Sequence, residues 1–145
     1  MKESLQEGLK HRLSFTVPET KTVPALYPEA TEFQHMPRVF ATGFLVGLVE
    51  WACIQAVIPH LDWPEEQTVG IHVDLSHEAA TPPGLEVTVD VELVAVNRKQ
   101  LTFTVTADDG VDTICRGRHQ RSVINTERFS DRAASKQATT EDTSK

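Results

Sequence analysis

Glu50 interrupts a run from Phe40 to Ile58 in which almost every other residue is apolar or glycine. A helix apolar on every side is a buried helix. A carboxylate inside it must be paired, hydrogen-bonded or protonated, because an isolated buried charge is very costly. Such a group often has a chemical task, although a structural carboxylate satisfied by a neighbouring donor fits the same pattern. His77 is the second residue of interest. In the stretch 70–77, Ile71, Val73, Leu75 and His77 share one face of an extended strand, and Gly70, His72, Asp74 and Ser76 share the other. The apolar face must look inward, so His77 points to the side that holds Glu50 and His72 points to solvent. A histidine beside a carboxylate is a general acid–base pair. A core histidine bonded to a carbonyl is the alternative.

Thr42 opens the helical run. Threonine is a favoured N-cap, which is the structural reading. The chemical reading is a nucleophile, or a hydroxyl that orients water, beside helix N–H groups able to hold a developing oxyanion. Thr42 and Glu50 are separated by roughly 12 Å of helix. The two therefore meet only if Thr42 lies in a turn that folds back, or if they come together across a dimer. Gly43 and Gly47 smooth one helix face, for close packing or for a thin ligand arm. Arg98, Lys99, Arg116, Arg118 and Arg121 are the candidates for phosphate contacts.

The elements that must position these residues are legible in order. At 145 residues the chain is one domain able to bury a core. Residues 1–11 read as a flexible N-terminus, and Leu13 to Val17 as a strand. Pro18 to Arg38 is rich in proline and lacks periodicity, which marks a lid-like loop. The apolar helix follows, ending near Pro59. Four strands come next: Thr68 to Glu78, Leu85 to Leu93, Leu101 to Ala107, and Asp112 to Ile124. The two middle strands alternate strictly, with apolar residues at odd positions. Asp108-Asp109-Gly110 is a hairpin signal. Residues 131–145 read as a disordered tail.

An antiparallel sheet with one apolar face needs a cover, and the helix is the cover available. The expectation is an α+β hot-dog fold over 12–130, with the sheet wrapped around one central buried helix and the chains paired as homodimers. The net charge of −7 argues against nonspecific nucleic-acid binding. Glu50 in the apolar run argues against a membrane span. Cys53 and Cys115 stand outside any C-x-x-C pattern, which suits a reducing cytoplasm. His72 and His77 lie on opposite strand faces, and no zinc-like spacing occurs, so no metal or other cofactor is expected.

Val39 to Phe44 and Gly47 to Cys53 resemble the central helix of the fluoroacetyl-CoA thioesterase family. His77 to Leu85, Asp109 to Asp112 and His119 to Ile124 also resemble that family. The resemblance spans roughly residues 12–130. It implies a homodimeric hot-dog hydrolase of short acyl-CoA esters, with CoA present only as part of the substrate. The family's catalytic Thr–Glu–His set falls on Thr42, Glu50 and His77. Its glycine whose N–H meets the thioester carbonyl falls on Gly70, and its arginine near the CoA end falls on Arg121. Phe33, Met36, Phe40 and Gly43 are implied around the substrate. The fluoroacetyl-specific enzymes carry a second lid phenylalanine where this chain has Met36. Met fills space less rigidly than Phe, so weaker selection for a fluorinated acyl group is expected. A hot-dog hydratase or dehydratase acting on acyl thioesters and a non-catalytic acyl-CoA binder are the rival readings.

Overall fold

The alternation of β3 (Glu86–Asn97) and β4 (Gln100–Asp108) sets the core. Val87, Val89, Val91 and Leu93 are buried, as are Leu101, Phe103, Val105 and Ala107. The computed structural model describes residues 1–143. Its strands β1 (Lys10–Thr16), β2 (Glu66–Leu75), β3, β4 and β5 (Thr113–Asn125) form one antiparallel sheet in the order β1-β3-β4-β5-β2.

The central helix, α3 (Thr42–Val57), follows two single-turn helices, α1 (Val23–Leu26) and α2 (Thr31–Gln34). It packs on β1, β3 and β2. Because β1 and β2 are opposite edges of the sheet, the sheet must curl around the helix to touch it from both sides. This is the expected hot-dog arrangement.

Four details depart from the sequence reading. The helix is not buried all round. Leu45, Leu48, Val49, Ala52, Cys53, Ala56 and Val57 are covered, whereas Gly43, Gly47 and Trp51 lie exposed along a single stripe. One curled sheet covers only part of a cylinder, so uniform hydrophobicity does not produce uniform burial. The N-terminus is docked rather than loose. Leu5 joins the core, the Lys2 N–H donates to the His60 carbonyl, and the Gly8 N–H donates to the Leu93 carbonyl. Ser4 Oγ, 2.8 Å from His60 Nδ1, and Leu9, packed against the core, help to seat it.

The third departure is the C-terminus. Residues 126–143 form a helix, α4, through the stretch expected to be disordered, and the last two residues lie outside the described ones. Its side chains are exposed from Glu127 to Thr140. Good helix formers and the Asn125 side chain, which accepts from the Arg128 N–H, allow a helix with no core-facing stripe. Fourth, the lid-like region is folded on itself. Gln34 Nε2 donates to the Pro24 carbonyl at 2.9 Å, and Tyr27 meets Phe33 with ring centroids 6.2 Å apart.

Candidate active site

The start of α3 is tied down from three sides. The Phe40 N–H donates to the Thr81 carbonyl, the Ala41 N–H to the Lys21 carbonyl, and the Val23 N–H to the Val39 carbonyl. Thr81 is itself fully buried, and its hydroxyl donates to Asp109 Oδ2 at 2.8 Å. Burial alone would push the Asp109 carboxyl up. Hydrogen bonds from the Asp112 and Val111 N–H groups and from Thr81 outweigh it and hold the carboxyl below its ordinary value. The hairpin thus fixes the turn from which Thr42 emerges.

Thr42 is not the cap. Ala41 occupies the N-cap position without a side-chain bond, and Thr42 is the first helical residue. Its hydroxyl is therefore spared for another partner: Thr42 Oγ1 lies 2.7 Å from His77 Nδ1. The first-turn N–H groups of α3 have no acceptor within the helix. They face the same end of the fold as this pair.

His77 reaches Thr42 from just beyond the end of β2 rather than from within a strand. The segment after β2 continues along β5, with the Ser76 N–H donating to the Arg116 carbonyl and the Glu78 N–H donating to the Ile114 carbonyl. Gly117 permits this close passage, since a Cβ there would sit 2.0 Å from the Asp74 carbonyl oxygen. Burial holds the His77 imidazole below the ordinary histidine range. The ring is therefore a free base at neutral pH, with Nδ1 able to accept from the Thr42 hydroxyl. Its Nε2 is buried and unpartnered. A cavity of about 290 Å³ opens here, lined by Val23, Val39, Phe40, Thr42, His77 and Ala79. A larger depression of about 550 Å³ lies on the outer sheet face. It is bordered by the ion pairs Arg12–Asp90 and Lys10–Glu92 and holds no nucleophile beside a base.

Glu50 sits two turns further along α3 in a separate cluster. Its side chain is 38% exposed, not sealed in the core, and its one partner among the described residues is Arg121, with Nη1 donating to Oε1 at 3.0 Å. Gly70 belongs to this cluster, because a Cβ there would lie 2.6 Å from Glu50 Oε1. The strand-parity reading put Gly70 on the face with His72, which the structure corrects. A bulge between Gly70 and His72 inserts Ile71, and an extra residue reverses the facing of all that follows. Gly70 opposes Arg121 on the inner face, Val73 opposes the buried His119, and His72 opposes Gln120.

Arg121 is 3% exposed. Its Nε and Nη2 donate to the side-chain and carbonyl oxygens of Thr68. It therefore does not stand where an arginine must stand to meet the phosphates of CoA. Its place is under Glu50. Of the other basic candidates, Arg116 pairs with Glu78, while Arg98, Lys99 and Arg118 are exposed.

Gly43 takes the close-packing role. A Cβ there would lie 2.9 Å from Leu26 Cδ1, so the folded lid rests on it, whereas Gly47 stays open. Phe40 lines the cavity beside Thr42. Phe33 is half-buried against Tyr27, Met36 is 46% exposed, and neither lines that cavity. Sequence reasoning missed Thr68 and His119. The inward facing of Val123 carries back along β5 to Arg121 and His119, and this was the signal that could have found them.

A family model described as fluoroacetyl-CoA-specific thioesterase matches residues 19–127. The chain belongs to this thioesterase family. The fluoroacetyl-CoA thioesterase of Streptantibioticus cattleyicolor is 50% identical over 129 residues, which cover 89% of this chain and 92% of the relative. Among solved structures, a phenylalanine-to-alanine variant of a fluoroacetyl-CoA-specific thioesterase, in complex with fluoroacetate and CoA, is 50% identical. It matches with a TM-score of 0.84 over 86% of this chain and 99% of its own. A hot-dog-like protein from Thermanaerovibrio acidaminovorans is 18% identical, with a TM-score of 0.74 over 90% of this chain and 91% of its own. At that identity the likeness concerns the fold alone. In this family member α3 carries one residue of each of two pairs, Thr42–His77 and Glu50–Arg121, and no hydrogen bond or ion pair joins the two pairs among the described residues.

Proposed function

We propose that this chain hydrolyses short acyl-CoA esters to the free acid and CoA, with Thr42, His77 and Glu50 as the reacting set. The observation that carries the reading is the 2.7 Å contact between Thr42 Oγ1 and the neutral His77 Nδ1, placed in a thioesterase family. His77 takes the proton from the Thr42 hydroxyl, or from a water that it orients, as the oxygen attacks the thioester carbonyl. The C–S bond breaks, the thiolate is protonated to CoA, and water supplies the oxygen of the acid. The N–H groups at the start of α3 and of Gly70 are the donors for the oxyanion, a term worth about 10²–10³ in rate per donor in other enzymes. The reaction requires no metal or redox cofactor.

The site is completed by a second copy of the chain. Thr42 with His77, and Glu50 with Gly70, are two half-sites, each holding one residue of α3, that no hydrogen bond or ion pair joins among the described residues. The exposed stripe of Gly47 and Trp51 and the exposed Ile71 and Val73 on edge strand β2 support pairing of two chains, so that one copy's Glu50 faces the other's His77. The exposed Met36 supports a pocket that admits acetyl as well as fluoroacetyl groups. Two buried free thiols, Cys53 pushed up to about 12 and Cys115 to about 11 mainly by burial, support residence in a reducing cytoplasm.

The test is a thiol-release assay across saturated short acyl-CoAs and fluoroacetyl-CoA, with Glu50→Gln and His77→Ala alongside. Turnover by the wild type and near-complete loss in both variants is expected. Binding without thiol release would leave a non-catalytic binder. Water addition to unsaturated acyl-CoAs without thiol release would leave a hydratase.

A further inference from the structure

His119 is fully buried on the inner face of β5 and lies outside the Thr–Glu–His set. Its two ring nitrogens are committed. Nδ1 lies 2.8 Å from the His72 carbonyl oxygen, which can only accept, so Nδ1 carries the proton. Nε2 is then a bare lone pair, and it lies 3.0 Å from Arg121 Nη1, which can only donate. Arg121 Nη1 has two hydrogens, one directed at His119 Nε2 and the other at Glu50 Oε1. With Nε and Nη2 held by Thr68, the guanidinium plane is fixed from both ends. Burial also holds the His119 ring below the ordinary histidine range, and the His72 carbonyl opposes this only in part. The ring therefore stays an acceptor. A protonated ring would lose that lone pair and set a second cation against Arg121.

We infer that His119 is a positioning residue for the hydrolysis: locked as the Nδ1–H tautomer by the His72 carbonyl, it orients Arg121, which holds the Glu50 carboxylate over Gly70. The inference rests on the proposed role of Glu50. The bulge at Ile71 belongs to the same device, since it turns Gly70 inward beneath the carboxylate and brings the His72 carbonyl onto the ring. A carboxylate that is 38% exposed would otherwise sample several rotamers. Misplacement by about 1 Å can cost about 10²-fold in rate.

Two amide substitutions separate this role from plain core filling. In His119→Gln the side-chain oxygen can stand where Nε2 stood and still accept from Arg121. In His119→Asn the amide can replace Nδ1 toward the His72 carbonyl but leaves Arg121 without its acceptor. Both delete the ring, so both should lower the melting temperature. The expected result is that His119→Gln keeps kcat within about threefold, whereas His119→Asn loses about 10²-fold in kcat at little-changed KM. Equal kcat in the two variants would overturn the inference.

Glu50→Gln is measured beside them. If it keeps full kcat, the role of Glu50 is wrong. A tautomer measurement on the intact wild type by ¹H–¹⁵N correlation decides independently of activity. His119 should hold its proton on Nδ1 at neutral pH, bonded to the His72 carbonyl. A proton on Nε2 would overturn the lock.

Discussion

Gly70 marks the point where a single atom decides the geometry of the site. A Cβ at this position would lie 2.6 Å from Glu50 Oε1, 3.3 Å from His119 Cε1 and 3.4 Å from Arg121 Nη1. The closest of these is the end of the Glu50 side chain, which can swing outward but then leaves the buried Arg121 without its carboxylate. Gly70→Ala should therefore lower the melting temperature only moderately while lowering kcat by about 10²-fold. Thermal denaturation and steady-state thiol release on one preparation check both halves. A large melting-temperature loss, or an unchanged kcat, would count against the geometry described. Glu50 and His77 were legible in the sequence because each breaks an apolar pattern. The partner of Glu50 was not. Arg121 lies 71 positions away, and nothing local in either segment encodes that pairing.

The elements around the site differ in how much they do. α3, the β2–β5 pair and the segment just after β2 carry the candidate catalytic groups, while α4 packs mainly on β5 and is exposed from Glu127 to Thr140. Truncation before Ala133 should shift the melting temperature by no more than about 2 °C, because residues 133–140 are all exposed. A loss of several degrees in differential scanning calorimetry would contradict this. The lid has a larger effect. Leu26 seats it on Gly43, and Phe33 leans on Tyr27, but Met36 is left exposed. Met36→Phe should raise the ratio of kcat/KM for fluoroacetyl-CoA over acetyl-CoA, by up to the 1–3 kcal/mol (about 10–200-fold) that one such group is worth. A ratio unmoved by the substitution would place selectivity elsewhere. The lid was legible as a loop from its prolines. Its two helical turns were not, because four-residue helices carry too little periodicity to register.

At the scale of the whole molecule, the exposed Trp51, Ile71 and Val73 and the divided site lead to one expectation. Sedimentation equilibrium at micromolar concentration should give a dimer, and a concentration-independent active monomer would refute the shared site. Acid should destabilise the fold in two stages. His77 and His119 are both held below their ordinary value by burial. As pH falls below about 6.5, the unfolded chain takes up protons that the folded chain refuses, and stability declines. Asp109 is also held low, so a further loss follows below the ordinary carboxylate value of about 4. Stability is fully present above both windows. Melting temperatures measured from neutral to acid pH should fall accordingly, and a flat profile between pH 7 and 5 would contradict the buried neutral histidines.

The sequence by itself determined the order of the strands and the central helix and the inward faces of β3 and β4, and it singled out Glu50 and His77 as candidates, whereas Thr42 stayed open between cap and reacting group until the family resemblance was weighed. Each rests on a local pattern: strict alternation of period two, or a polar residue where an apolar one is expected. Tertiary structure decided the rest. It placed Ala41 rather than Thr42 at the cap, which freed the Thr42 hydroxyl for His77. It inserted the bulge that turned Gly70 inward. It also drew Arg121 from a basic-looking strand into the interior beneath Glu50. A strand's alternation holds only until an extra residue shifts it. A charge is stable inside only beside its complement, and both facts are settled where distant segments meet.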